Sequence, residues 1–219
     1  MWSKEVTDML ILGIWQTLYM TIVSTVVGYV IGLPMGIALT VSDKDGIAPN
    51  KVLYKILDVI SNLVRSVPFI ILLVLLIPFT RFIVGKSYGS TAMIVPLVIA
   101  AAPYIARMVE SSLKEVDPGV IEAARSMGAT NFQIVTKVML VEARTSLIVN
   151  GTIALGTILG YSAMAGTVGG DGLGAIAIRY GYTRWQTDIM VVTVILLIVL
   201  FQIFQTLGMK AADKSDKRK

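Results

Sequence analysis

Catalysis and metal binding need groups that move protons, attack or coordinate, and this 219-residue sequence contains no histidine and no cysteine. Disulfides, thiolate nucleophiles, histidine metal sites and histidine proton relays are therefore excluded. Gly85-Lys86-Ser87 matches the end of a phosphate-binding loop, but Thr80 stands where that motif requires its first glycine, so the tripeptide reads as a solvated turn. Gly169-Gly170-Asp171-Gly172-Leu173-Gly174 has the glycines of a dinucleotide loop without a preceding strand, and reads as a turn structure. No apolar run holds a pair of carboxylates, so neither acid–base catalysis nor proton-coupled transport has obvious players; Asp58 and Glu110 fall near run ends and read as interfacial. The expectation is a non-catalytic chain that itself binds no metal and no cofactor. One chemically distinctive stretch remains, the charged interval 107–144, whose middle reads Glu122-Ala123-Ala124-Arg125-Ser126-Met127-Gly128.

Apolar segments must position that interval. Hydrophobic residues are 55% of the chain, charged ones 15%, and mean hydropathy is +0.78, the composition of an integral membrane protein. Charge is costly at the bilayer centre, so charge-poor runs mark the spans: about 9–42, 57–80, 87–106, 145–168 and 188–209. Each is long enough to cross ~30 Å of hydrocarbon as a helix. The expected fold is all-α, a single transmembrane domain over 1–219 with five transmembrane helices. Arg65 interrupts the second run, where its side chain can snorkel toward headgroups or pair within a bundle. The first run is too long for a signal-peptide core and reads as a retained helix.

Basic residues choose the orientation. Lys44, Lys51 and Lys55, then Arg107, Lys114, Arg125, Lys137 and Arg144, then Lys210, Lys214, Lys217, Arg218 and Lys219 all fall on one side, against Lys4, Arg81, Lys86, Arg179 and Arg184 on the other. The first side is expected to be cytoplasmic, with the N-terminus outside and the C-terminus inside. The net charge of +5 then reports topology and not nucleic-acid binding. The polar, basic tail 211–219 is expected to be disordered near anionic headgroups.

Gly28, Gly32 and Gly36 recur every four residues, and Gly156 and Gly160 repeat the spacing. Such a stripe admits the close approach of another helix, either within the chain or across a dimer seam. Pro34, Pro68, Pro78, Pro96 and Pro103 favour kinks or breaks.

In the charged interval, Asp117 is a good N-cap and Pro118 suits the first helical position. Val120, Ile121, Ala123, Ala124 and Met127 form an apolar stripe opposite Arg125 and Ser126, and Gly128 ends the turn. Thr130 with Gln133 is a capping-box pattern for a second helix that feeds through Val135, Val138, Met139 and Leu140 toward the fourth span. Pattern alone allows a helix lying on the bilayer surface or one that docks a partner.

Glu122-Ala123-Ala124, three residues and then Gly128 resembles the EAA loop of permease subunits of bacterial ATP-binding-cassette importers. That pattern ends in an Ile-x-Leu-Pro-like element, which here reads Val138-Met139-Leu140-Val141 without the proline. The segments 65–73, 102–110 and 160–164 look like those of methionine-importer permeases. The resemblance implies a multi-pass protein of the bacterial inner membrane, a homodimer with its path along the two-fold axis. It also implies two cytoplasmic ATPase subunits that hold the ATP and Mg, and an extracytoplasmic methionine-binding protein. The expected substrate is methionine, D- and L-; the alternatives are another amino acid or small polar solute, or a non-transporting scaffold that binds a cytoplasmic partner. Val120, Ile121, Glu122, Ala123, Ala124, Met127 and Gly128 become the expected ATPase-coupling residues. Met164, with Tyr161 and Ser162, is a candidate gate in the outer half of the fourth span, or else a lipid- or helix-facing methionine.

Overall fold

The computed structural model describes residues 4–215. Among them the regular elements are all helical: α1 (Lys4–Ser42), α2 (Lys51–Ser66), α3 (Phe69–Leu75), α4 (Ile77–Val84), α5 (Ser90–Lys114), α6 (Pro118–Ser126), α7 (Asn131–Gln133), α8 (Leu140–Glu142), α9 (Arg144–Ala165), α10 (Leu173–Ile176) and α11 (Thr187–Ser215). Wider π-helical turns cover Ile134–Met139 and Ala177–Tyr182, and a 3₁₀ turn covers Gly166–Val168. α1, α5, α9 and α11 are long and apolar enough to cross a membrane, and α2 with α3 adds a fifth crossing if that bent pair is one span.

The glycine stripe of α1 packs inside the chain. Gly28 lies against Ala101 and Ile105, Gly32 against Ala102 and Ile105, and Gly36 against Ala106 and Val109. A Cβ on Gly32 would sit 2.6 Å from the Ala102 carbonyl oxygen and 2.9 Å from Ile105. The core continues from α5 into α3, α6 and α9 through Leu72, Leu97, Ile105, Leu113 and Ile158. Of the hydroxyls buried along α1, those of Thr17, Thr25 and Thr40 each donate to a carbonyl one turn earlier.

The second expected span, 57–80, is not one straight helix. α2 stops at Ser66, Val67 is extended (φ −85°, ψ 126°), and α3 leaves at 101° to α2. Pro68 causes this: it has no N–H to give the Val64 carbonyl, and its ring forces the preceding residue out of the helical region. Pro78 then occupies the first turn of α4, beyond a second break at Leu76.

The connection after the fourth span is also more than a turn. Asp171 Oδ2 accepts from the Ser90 backbone N–H (2.8 Å) and hydroxyl (2.9 Å), capping α5. Gly172 follows at φ +91°, with Thr17 2.6 Å from where a Cβ would stand. The chain then re-enters as α10, whose residues are all buried. The basic tail departs from expectation as well: α11 continues through residues 211–215, and Asp216 to Lys219 lie outside the described residues.

Because Gly32 meets backbone and not a flexible side-chain end, Gly32→Ala should cost roughly 1–3 kcal/mol of stability. Gly160→Ala, which enters open space, should stay within about 0.5 kcal/mol. Thermal unfolding of the two variants in detergent checks the contrast.

Candidate functional site

The charged interval folds into a short helix and a glycine turn. Asp117 accepts from the Gly119 N–H at 2.7 Å and opens α6, with Pro118 in its first turn. Met127 caps the end, and Gly128 takes φ +83°, a left-handed conformation that disfavours any side chain. The Thr130–Gln133 capping box forms with both of its reciprocal bonds. The feeder segment passes through α7, the π-helical Ile134–Met139 and α8, and turns at Ala143 into α9. Val141, where the family pattern has proline, is exposed within α8.

The apolar residues of α6 divide between two faces. Ala124 is 5% exposed and belongs to the core, with Ile121 packed against it. Val120, Ala123 and Met127 point away from the bundle, Met127 being 82% exposed, and Phe132 just beyond is 76% exposed. Glu122 is exposed and lines, with Ile121 and Arg125, a cavity of about 570 Å³ between α6 and the α1–α2 loop. Arg125 bridges that cavity by donating to the Ile47 carbonyl at 2.9 Å. One face of α6 thus fastens it to the bundle, while the other presents apolar side chains with nothing of this chain over them.

Beneath α6 lies an ion network that sequence patterning did not resolve. Arg107 of α5 pairs with Asp58 of α2 and, at 2.7 Å, with Glu110. Lys114 bonds the other Glu110 oxygen at 2.8 Å and Asp43, just past α1, at 2.6 Å. Asp58 and Glu110 are therefore not merely interfacial, and Glu110 is buried. The i, i+3 and i, i+4 spacing of Arg107, Glu110 and Lys114 was a visible signal for part of this; Asp43 and Asp58 depend on tertiary contact. The Lys114 ammonium, by hydrogen bonding, holds the Asp43 carboxyl below its usual 3.8. A carboxyl depressed on folding stabilises above 3.8 and loses that contribution as pH falls through the lowered value, so the tie is intact at neutral pH.

The gate candidates separate. Met164 is 48% exposed near the end of α9. Tyr161 stacks on Phe69 of α3, with ring centroids 4.2 Å apart. Ser162 is buried and turns the other way, receiving the Thr21 hydroxyl at 3.3 Å and donating to the Leu159 carbonyl at 2.8 Å. It helps pack α9 on α1 and does not share a surface with Met164. Among the described residues no group of acidic side chains is arranged to hold a metal ion, and Gly85-Lys86-Ser87 forms the exit turn of α4.

Removing Arg107 takes away the ion-pair partner of Asp58 and leaves the buried Glu110 with Lys114 alone. Arg107→Gln should cost roughly 3 kcal/mol or more, whereas Lys114→Gln, whose side chain is 44% exposed, should cost under about 1 kcal/mol. Urea or thermal unfolding of the detergent-solubilised variants measures the difference.

Known proteins resemble this chain over nearly all its length. Residues 28–214 match the family model described as binding-protein-dependent transport system inner membrane component. A Vibrio cholerae protein described as probable D-methionine transport system permease protein MetI is 48% identical over 217 residues, covering 99% of this chain and 96% of that one. The Escherichia coli K12 D-methionine transport system permease protein MetI is 51% identical over 164 residues, 75% of this chain and 76% of the relative. Among solved structures, the inward-facing MetNI methionine ABC transporter in its CY5 native crystal form superposes with a TM-score of 0.97 at 48% identity, covering 99% of this chain and 100% of that one.

Proposed function

Because the chain belongs to the family of binding-protein-dependent transport system inner membrane components, we propose that it is the permease subunit of an ATP-binding-cassette importer that carries methionine inward. It is a multi-pass protein of the inner membrane. The observation that carries the substrate assignment is the 48% identity, over 99% of the chain, to a permease named for D-methionine transport. Both D- and L-methionine are within the proposed range.

The finer reading concerns how the subunit is driven. This sequence has no phosphate-binding loop, so the work of ATP must reach it from another protein. The solved relative is a complex named MetNI, which supports a separate ATPase; two such subunits, a homodimeric permease and an extracytoplasmic methionine-binding protein complete the proposed assembly. ATP and Mg belong to the ATPase, and the α6 end of the bundle faces the cytoplasm, with the N-terminus outside.

In this scheme Val120, Ala123 and Met127 seat in the ATPase and Ile121 and Ala124 hold α6 to the permease. Glu122 borders the cavity between α6 and the α1–α2 loop, where it is placed to pair with a cation. Closure of the ATPases moves α6 as a rigid body, because its anchored side chains and the Arg125–Ile47 bond tie it to the bundle. Gly128 and the feeder segment carry that motion to α9, and α5 carries it through Arg107 and Lys114 to α2 and to the end of α1. Met164 and Tyr161 stand at the far end of α9, where the displacement opens or closes the path.

The two neighbouring alanines distinguish docking from anchoring. Ala123→Trp should leave thermal stability of the isolated permease within about 0.5 kcal/mol, being an exposed substitution. It should lower ATP-driven methionine uptake in reconstituted vesicles by about tenfold or more, through loss of the docked geometry. Ala124→Trp should instead destabilise the permease itself by roughly 1–3 kcal/mol or more. Full uptake with Ala123→Trp contradicts the docking assignment.

A further inference from the structure

The break between α2 and α3 holds an arginine that the architecture does not account for. Arg65 sits in the last turn of α2 and is exposed. Among the described residues it has neither an ion pair nor a hydrogen bond. Arg107, by contrast, is tied to two carboxylates.

Arg65 lines a cavity of about 180 Å³ with Val64, Val67, Phe69, Tyr104 and Tyr161 among its walls. Depth can be read along α5: Ala100, which also lines the cavity, is ten residues after Ser90, and Tyr104 is ten before Lys114. The cavity is therefore level with the middle of a membrane-spanning helix. A permanent guanidinium there is costly unless water or an anion compensates it, and among the described residues no acid does so.

The surrounding groups are those an amino acid would need. Guanidinium is the side chain best shaped to take a carboxylate, through two parallel N–H donors. Pro68 deprives the Val64 carbonyl of its helical donor, leaving an acceptor for an ammonium group, and the Tyr104 hydroxyl stands within 3.5 Å of the Thr157 hydroxyl on the facing helix. The Phe69–Tyr161 stack offers aromatic surface, against which a thioether packs favourably.

We propose that the α2–α3 break is a transient subsite on the translocation path, where Arg65 receives the α-carboxylate of the passing amino acid and Phe69 with Tyr161 borders its side chain. This rests on the reading of the chain as a methionine permease. The site holds its ligand weakly by design, since a transported solute must also leave, and the cost of leaving Arg65 unpaired favours occupancy only while the path is desolvated.

The test uses the assembled importer in vesicles, with the ATPase and the binding protein present, and reads methionine uptake per ATP hydrolysed. Arg65→Gln should lower that ratio by about tenfold or more, and Arg65→Lys by less. This chain has no cysteine of its own, so with partner subunits from which reactive thiols have been removed chemical rescue can be added: Arg65→Cys should regain uptake per ATP after treatment with an aminoethyl thiosulfonate, which restores a cation, but not after a neutral methyl reagent. A merely structural arginine lowers uptake and hydrolysis together and leaves the ratio unchanged. An unchanged ratio in Arg65→Gln, or rescue that is absent or equal with the neutral reagent, overturns the subsite. Absence of ATP-driven methionine uptake by the unaltered importer would instead overturn the permease reading on which the subsite rests.

Discussion

The close approach of α1 to α5 is the constraint on which the rest of the bundle depends. Gly28, Gly32 and Gly36 bring α1 against the Ala101, Ala102 and Ala106 turns of α5, where a Cβ on Gly32 or Gly36 would collide with backbone. Lipid tails are as apolar as leucine, so burial alone cannot drive two such helices together in a membrane; short-range packing over small residues must do so. Once α5 is fixed, its two faces organise the other elements. Its α6-proximal end carries Arg107, Glu110 and Lys114, which hold α2 and the end of α1, and its opposite end is capped by Asp171 from the segment that leads into α10.

The two ends of α5 are built differently, and the difference suits transmission of movement. At the α6 end, two cations and three carboxylates join separate helices into one unit. Such a network is worth little as a source of net stability, because desolvation opposes the Coulomb gain. It does define geometry, and an α6 anchored nearby through Ala124 and Ile121 can push on a unit instead of on loose helix ends. At the middle, the α2–α3 break and the stacked Phe69–Tyr161 pair leave space and unpaired polarity, the conditions under which a polar solute can be accommodated at membrane depth.

Sequence patterning made much of this legible where local chemistry decides the outcome. The caps at Asp117 and Thr130, the left-handed Gly128 and the four long apolar helices follow from rules that involve only neighbouring residues. The glycine stripe announced a close contact but not its partner, which only the fold identifies as α5. Pro68 signals a break within 57–80 because proline lacks an N–H, but the 101° size of the bend between α2 and α3 depends on tertiary packing that the sequence does not display. The apolar residues of α6 looked like one stripe because nine residues make fewer than three turns; the core claims Ala124 and Ile121, while Val120, Ala123 and Met127 remain outside. Ser162 was grouped with Met164 by adjacency, yet two positions along a helix point about 200° apart.

The central claim is that the outward face of α6, and not the inward one, receives the ATPase. Single cysteines at positions 121, 123, 124 and 127, introduced one at a time, can be labelled with a soluble maleimide on the purified permease with and without the purified ATPase. The account predicts that positions 123 and 127 label readily alone and are protected about tenfold or more by the ATPase, while 121 and 124 label slowly in both states. Labelling at 123 and 127 that is indifferent to the ATPase would contradict it.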